Sequence, residues 1–250
     1  MNNNLLEIKN LSKIYHTKEK ETLALENINF NIKEKEFISL VGPSGCGKST
    51  ILTILANIIK DYKGTIKYSK KNPKIGYMLQ EDSLFPWKTV LENACLGLEI
   101  KKELNKETKQ NVINLLNKYG LKDFINSYPS SLSGGLKQRV ALIRTLAINP
   151  DILLLDEPFS ALDYQTRLAL SDDWKNIINE ENKTTIMVTH DITEAISMSD
   201  KVIILTNRPG KIKKIIDINL EKPSTPTENR KDKNFIKYYD LIWKELDHHV

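Results

Sequence analysis

Short apolar runs broken by turn-forming residues predict strands along the first third of the chain, at "LLEIKNLSKIY", "LENINFNI" and "EFISLVG". The last of these runs straight into a glycine-bearing loop at residues 42–50. Beyond it, "KSTILTILANIIK" switches to helical spacing, with Ile51, Ile54, Leu55 and Ile58 on one face. A lysine-rich turn leads to a further strand at "KIGYMLQ", residues 74–80. From about Trp87 to Ile148 the period is mostly helical, as in "KQNVINLLNKYG", where Val112, Leu115, Leu116 and Tyr119 share a face. Strand signals return at "DILLLDEP", "TTIMVTH" and "DKVIILT" with a helical segment between each pair, which predicts parallel strands joined by crossovers.

The expected organisation is therefore an α/β core over residues 1–220 with a helical subdomain, about 87–148, inserted in it. "EKPSTPTENRKDKN", residues 221–234, is polar and proline-bearing and reads as a linker or surface loop. In the remainder of the 221–250 segment, Phe235, Tyr239, Ile242 and Leu246 fall on one face of an amphipathic helix, expected to pack on the chain's own core. No internal repeat is visible.

Composition narrows the classes. A formal charge of +5 over 250 residues, with acids and bases alternating in "HTKEKE" and "IKEKEF", is a solvated surface and gives no basis for nucleic-acid binding. No apolar run approaches the ~18 residues that cross a bilayer, and "MNNNLLEIKN" lacks a signal-peptide start. The expectation is a soluble, cytoplasmic protein. Cys46 and Cys95 are the two cysteines, and a disulfide at Cys46 would obstruct the glycine loop. Near a helix N-terminus, Cys46 either has a lowered thiol pKa or serves simply as a small residue.

The glycine loop matches the phosphate-loop pattern G-x-x-x-x-G-K-S and sits between a strand and a helix, the context that confirms such a match. Gly42, Pro43, Ser44, Gly45, Cys46, Gly47 and Lys48, followed by Ser49 and Thr50, are the expected nucleotide-binding set. Curled backbone N–H groups cradle the β-phosphate, Lys48 reaches the β- and γ-phosphates, and Ser49 offers a hydroxyl to Mg²⁺. A helix N-terminus contributes only ~0.3–2 kcal/mol toward an anion, so a polyphosphate needs the nest, the lysine and the metal together.

"ILLLDE" delivers Asp156 to a strand's C-terminal edge, where it can hold Mg²⁺, and Glu157 after it can take a proton from attacking water. Read alone, the same pair is a solvated acidic turn. His190 after "TIMVT" and Gln80 after "KIGYML" are ordinary strand-end residues in isolation, and gain interest as ends of the same sheet. Tyr15 either stacks on adenine or packs on the fold. "SLSGGLKQRV", residues 131–140, sets paired glycines before a second predicted helix and so offers a second anion-type helix start.

Taken in order, Tyr15, "GPSGCGKST", Gln80, "LSGGLKQR", "ILLLDE", "SALD" and His190 closely resemble the nucleotide-binding subunits of ATP-binding cassette (ABC) transporters, over about residues 5–218. The resemblance implies an ABC-type phosphate-loop NTPase core with an N-terminal antiparallel β subdomain, hydrolysing MgATP as a head-to-tail homodimer. It implies that Ser133, Gly134 and Gly135 face the γ-phosphate held by the partner's loop, and that Asp163 of "SALD" communicates across that interface. Glu157 would be general base, His190 the γ-phosphate sensor, and Gln80 a metal contact and link to the membrane subunit. Leu136 departs from the glutamine often found after the glycines.

With no fused span or regulatory barrel expected, the chain resembles an importer's separate ATPase at the cytoplasmic face of the membrane. Its implied partners are permease subunits and, indirectly, a solute-binding protein. "QEDSLFPWKTVLENACLGL", residues 80–98, looks like the permease-docking segment, although Phe85, Pro86 and Trp87 could instead be buried. "NRPGKI", residues 207–212, with "LFPW", is similar to the nitrate, sulfonate and taurine importer branch. Importers of thiamin-type pyrimidine precursors and soluble non-transport ABC ATPases stay as alternatives, and a small-molecule kinase would share only the phosphate loop.

Overall fold

The computed structural model describes residues 4–16 and 20–246. The extreme N-terminal residues of "MNNNLLEIKN", the middle of "HTKEKE" and the end of the 221–250 segment lie outside the described residues.

Two long strands, β1 (Asn4–His16) and β2 (Glu21–Lys33), pair antiparallel, and β4 (Lys63–Tyr68) pairs antiparallel with β1 on its other side. The second sheet has the order β5-β6-β7-β3-β8-β9, from β3 (Phe37–Val41), β5 (Ile75–Met78), β6 (Ile152–Asp156), β7 (Thr184–Val188), β8 (Lys201–Leu205) and β9 (Ile212–Asp217). Strands β5, β6, β7, β3 and β8 are parallel, and β9 runs antiparallel to β8. The parallel strands between the edges are largely apolar and almost wholly buried, because both faces are covered. On β6, Ile152 and Leu154 join the core shared with β1, β2 and helix α1 (Lys48–Leu55), whereas Leu153 and Leu155 join the core under the helices. One strand's alternation thus feeds two cores.

Helices α2 (Val90–Ile100), α3 (Lys106–Lys118) and α4 (Gly134–Leu146) lie between β5 and β6 in the chain. Thr89 and Asn105 start α2 and α3 with reciprocal capping boxes. Val112 and Leu116 of α3 are buried with Leu115 and Tyr119 packed beside them. Helices α5 (Tyr164–Glu180) and α6 (Ile192–Met198) make the crossovers on either side of β7. Among the described residues no helix is long and apolar enough to cross a membrane.

Four elements differ from expectation. Helix α1 stops at Leu55, and Asn57 takes a left-handed φ of 59°, so Ile58 leaves the apolar face and is 63% exposed. Strand β4 occupies the "lysine-rich turn": its lysines face water while Ile66 pairs with Ile8 and Tyr68 with Leu6, a half-buried edge strand in basic disguise. Strand β5 ends at Met78, leaving Gln80 beyond the strand. Within 221–234, helix α7 (Pro226–Asn229) is docked, not solvated: Asn229 donates to Ser197 O at 2.7 Å and Thr227 N donates to Asp172 at 2.8 Å. Phe235 and Ile242 of the last helix, α8 (Phe235–Leu246), are buried against Val41, Ile192 and Ile204, with Tyr239 and Leu246 alongside.

Buried Asn93 organises the loop before α2. Its Nδ2 lies 3.1, 2.9 and 3.0 Å from the carbonyl oxygens of Phe85, Lys88 and Thr89, and its Oδ1 accepts from Phe85 N at 2.8 Å. That brace presents Phe85 and Trp87 stacked at 5.0 Å, with Trp87 70% exposed. Replacing Asn93 with Ala strands these buried groups and is expected to cost about 1–3 kcal/mol. A urea midpoint unchanged from the parent would show that the brace carries no stability.

Candidate nucleotide site

The loop between β3 and α1 wraps a cavity of about 540 Å³. Gly47 has φ 103°, and a Cβ there would lie 2.5 Å from Leu25 Cδ2, so both conformation and contact demand glycine. Gly42, Ser44, Gly45, Gly47, Lys48, Ser49 and Thr50 line the cavity, joined by Tyr15, Thr22 and Ala24 from the antiparallel sheet, and by Glu157, His190 and Arg208. Lys48 is buried, and its Nζ donates to Gly42 O at 2.8 Å and Pro43 O at 3.1 Å. Cys46 is buried inside the loop, where burial pushes its thiol up. The structure thus overturns the lowered-pKa alternative and leaves a small packing residue.

Asp156 ends β6 behind the loop. Its Oδ1 accepts from Ser49 Oγ at 3.0 Å and its Oδ2 from Tyr77 Oη at 3.1 Å. Burial raises the Asp156 carboxyl, opposed by those two hydrogen bonds. Burial and the adjacent carboxylate push the Tyr77 hydroxyl up, which keeps it a donor.

Glu157 follows with φ 45°, its N–H donating to Val188 O at 2.9 Å. Its Oε2 lies 3.2 Å from His190 Nδ1 and 3.4 Å from Gln80 Nε2, and Gln80 Nε2 also donates to Ser160 Oγ at 3.3 Å. Segments following three neighbouring strands therefore bring Gln80, Glu157 and His190 together, with Gln80 itself off the cavity wall. Tyr15 is exposed at the cavity, its hydroxyl 3.3 Å from Thr50 Oγ1.

Ser133, Gly134, Gly135 and Asp163 do not line that cavity. Ser133 caps α4, its Oγ accepting from Leu136 N at 3.4 Å, and Asp163 caps α5, accepting from Thr166 N at 3.0 Å. The two helix starts touch: a Cβ on Gly134 would sit 3.4 Å from Leu162 Cδ2, and one on Gly135 3.2 Å from Thr166 Cγ2. Behind them Arg167 donates to Leu162 O at 3.1 Å and approaches Asp191 at 3.5 Å and Glu194 at 3.7 Å. This guanidinium ties the "SALD" loop to the turn carrying His190.

Sequence reading missed Tyr77, Ser160, Arg167 and Arg208. Tyr77 carries no local signal, since it acts across strands, and Ser160 opens "SALD", which the sequence marks without placing that hydroxyl beside Gln80. Arg208 sits inside "NRPGKI", which the sequence marks without assigning it to the site.

A protein-family model described as ABC transporter matches residues 25–160. The chain belongs to the ABC transporter family. Over 97% of this chain and 95% of that protein, it is 44% identical to an uncharacterized ABC transporter ATP-binding protein, YtlC, of Bacillus subtilis (strain 168). It is 38% identical to the aliphatic sulfonates import ATP-binding protein SsuB of Bacillus thuringiensis subsp. konkukian (strain 97-27), over 96% of this chain and 95% of that one. Among solved structures, the ATP-binding cassette MJ0796 in a dimeric post-hydrolysis state bound to ADP and Pi matches with a TM-score of 0.72 and 34% identity, covering 86% of this chain and 99% of that one. The chain is thus an ABC ATPase, the ATP-binding subunit of a transporter.

Proposed function

We propose that this ABC ATPase powers import of a small organic anion of the sulfonate class, working as a homodimer with ATP between each phosphate loop and the partner's Ser133, Gly134 and Gly135. One observation carries the dimer reading: the "LSGG" helix start is exposed, lies outside the chain's own cavity lining, and packs on the "SALD" loop. An anion-type helix start set apart from its own chain's phosphate loop fits a neighbour's γ-phosphate. The SsuB-type relatives at comparable length, and the dimeric relative holding ADP and Pi, support the same reading.

In this reading Lys48 exchanges its two loop carbonyls for the β- and γ-phosphates. Ser49 Oγ and Asp156 Oδ1, both hard oxygen donors 3.0 Å apart, suit Mg²⁺. When bound, the ion would neutralise charge on the phosphates. Tyr77 holds the Asp156 carboxylate in place. Glu157 takes a proton from the attacking water, and His190 and Gln80 fix the orientation of that carboxylate. Loss of the γ-phosphate removes the bridge between the subunits, so hydrolysis loosens the pair. Residues 87–148 act as the helical subdomain inserted in a 1–220 ATPase unit, and stacked Phe85 and Trp87 offer an aromatic face to a permease at the cytoplasmic side of the membrane.

The test is recovery of the tagged chain from gently solubilised host membranes. A multispanning partner should accompany it, and Trp87→Ala should reduce that recovery several-fold with ATPase activity of the free chain unchanged. The recovered complex, in liposomes with its solute-binding protein, is expected to show ATP hydrolysis stimulated by alkanesulfonates. Stimulation by nitrate or a pyrimidine instead would reassign the cargo, and recovery of soluble partners alone, with a control transporter retained, would favour the non-transport alternative.

A further inference from the structure

We propose that Arg208 is a nucleotide contact supplied from outside the phosphate loop, its guanidinium holding the polyphosphate of ATP beside Gly45. The proposal rests on the reading of the cavity as the ATP site. Arg208 lines that cavity, and a Cβ on Gly45 would lie 3.3 Å from its Nη2, so the guanidinium lies over the middle of the loop. Among the described residues its guanidinium has no hydrogen-bond or ion-pair partner. Among the described residues Glu157 is the one carboxylate in the cavity lining, and it is engaged with His190 and Gln80.

The turn bearing Arg208 is held from two sides. Thr206 and Lys211 close it, with Thr206 N donating to Lys211 O at 2.9 Å and Lys211 N to Thr206 Oγ1 at 3.0 Å. On one side Gly210 N donates to Ala24 O at 2.9 Å, and Gly210 O accepts from Glu26 N at 3.0 Å, which fixes the turn to β2. On the other, Gly210 abuts the phosphate loop so closely that a Cβ would fall 2.0 Å from Cys46 O. An unpaired guanidinium on a turn braced against the loop loses little freedom on meeting its ligand. Its planar fork suits phosphate oxygens better than an ammonium does. Lys48 holds the loop from within and Arg208 closes on the phosphates from the strand β8 side.

Calorimetric titration of the monomeric full chain with ATP tests this. Arg208→Ala should weaken binding about tenfold, Arg208→Lys should fall between the variant and the parent, and the ligand-free melting temperature should stay unchanged. Unaltered ATP affinity in Arg208→Ala, with binding lost in a Lys48→Ala control, overturns the proposal and leaves the ATP site standing. Unaltered affinity in both variants overturns the site reading and the proposal together. Unaltered monomer affinity combined with weakened ATP-driven dimer formation also overturns it, by assigning Arg208 to the partner subunit.

Discussion

Glu157→Gln is expected to cut steady-state ATP turnover by about 10²-fold or more, the usual scale for loss of a general base. Nucleotide binding should survive, because Lys48, Ser49 and the loop amides are untouched and the replacement amide keeps an oxygen where Oε2 meets His190. With the γ-phosphate retained, the bridge between subunits persists, so the variant should accumulate as an ATP-bound dimer in size-exclusion chromatography. Near-normal turnover would remove Glu157 from the role and point to His190 or a water relay in its place.

The largest expected loss of stability comes from Trp174→Ala. Trp174 is fully buried on α5, its ring centroid 5.0 Å from that of Phe159 at a 58° tilt. Phe159 is itself buried and follows Glu157 closely in the chain, so the indole supports the segment that carries the proposed base and leads to Asp163. Emptying such a site costs about 3–5 kcal/mol through lost transfer energy and the cavity left behind. That is a large part of the ~5–15 kcal/mol that holds a typical domain folded. Among the described residues Trp174 Nε1 has no hydrogen-bond partner, so Trp174→Phe strands nothing polar and should cost less than half as much. Urea unfolding of both variants separates these outcomes, and a loss of 1 kcal/mol or less in Trp174→Ala would show that the segment does not depend on this packing.

The parts of the molecule legible in the sequence are those whose physics is local. A phosphate loop uses consecutive residues between a strand and a helix, so Gly42 to Thr50 could be read directly, and "ILLLD" could be read as a buried parallel strand because it has no polar face. The "LSGG" helix start was likewise visible through its paired glycines, and "SALD" through its likeness to the family's motif. Their contact with each other was not, since it joins Gly135 to Thr166 through tertiary packing alone. Tyr77 reaches Asp156 across neighbouring strands, and Arg208 reaches the loop only because β8 lies beside β3. Strand β4 was hidden by its lysines, whose partners in β1 lie far earlier in the chain. The docking of Asn229 under α6 was hidden in the same way, by a composition that elsewhere marks a solvated linker.

The left-handed backbone at Glu157 has an implication for laboratory evolution. A non-glycine residue at φ 45° carries a conformational cost of about 1–3 kcal/mol, which Gly or Asn would relieve. Selection of variants for heat resistance alone would therefore favour replacing this residue, and a library screened without an activity filter should drift toward sturdier proteins that hold nucleotide and no longer turn it over.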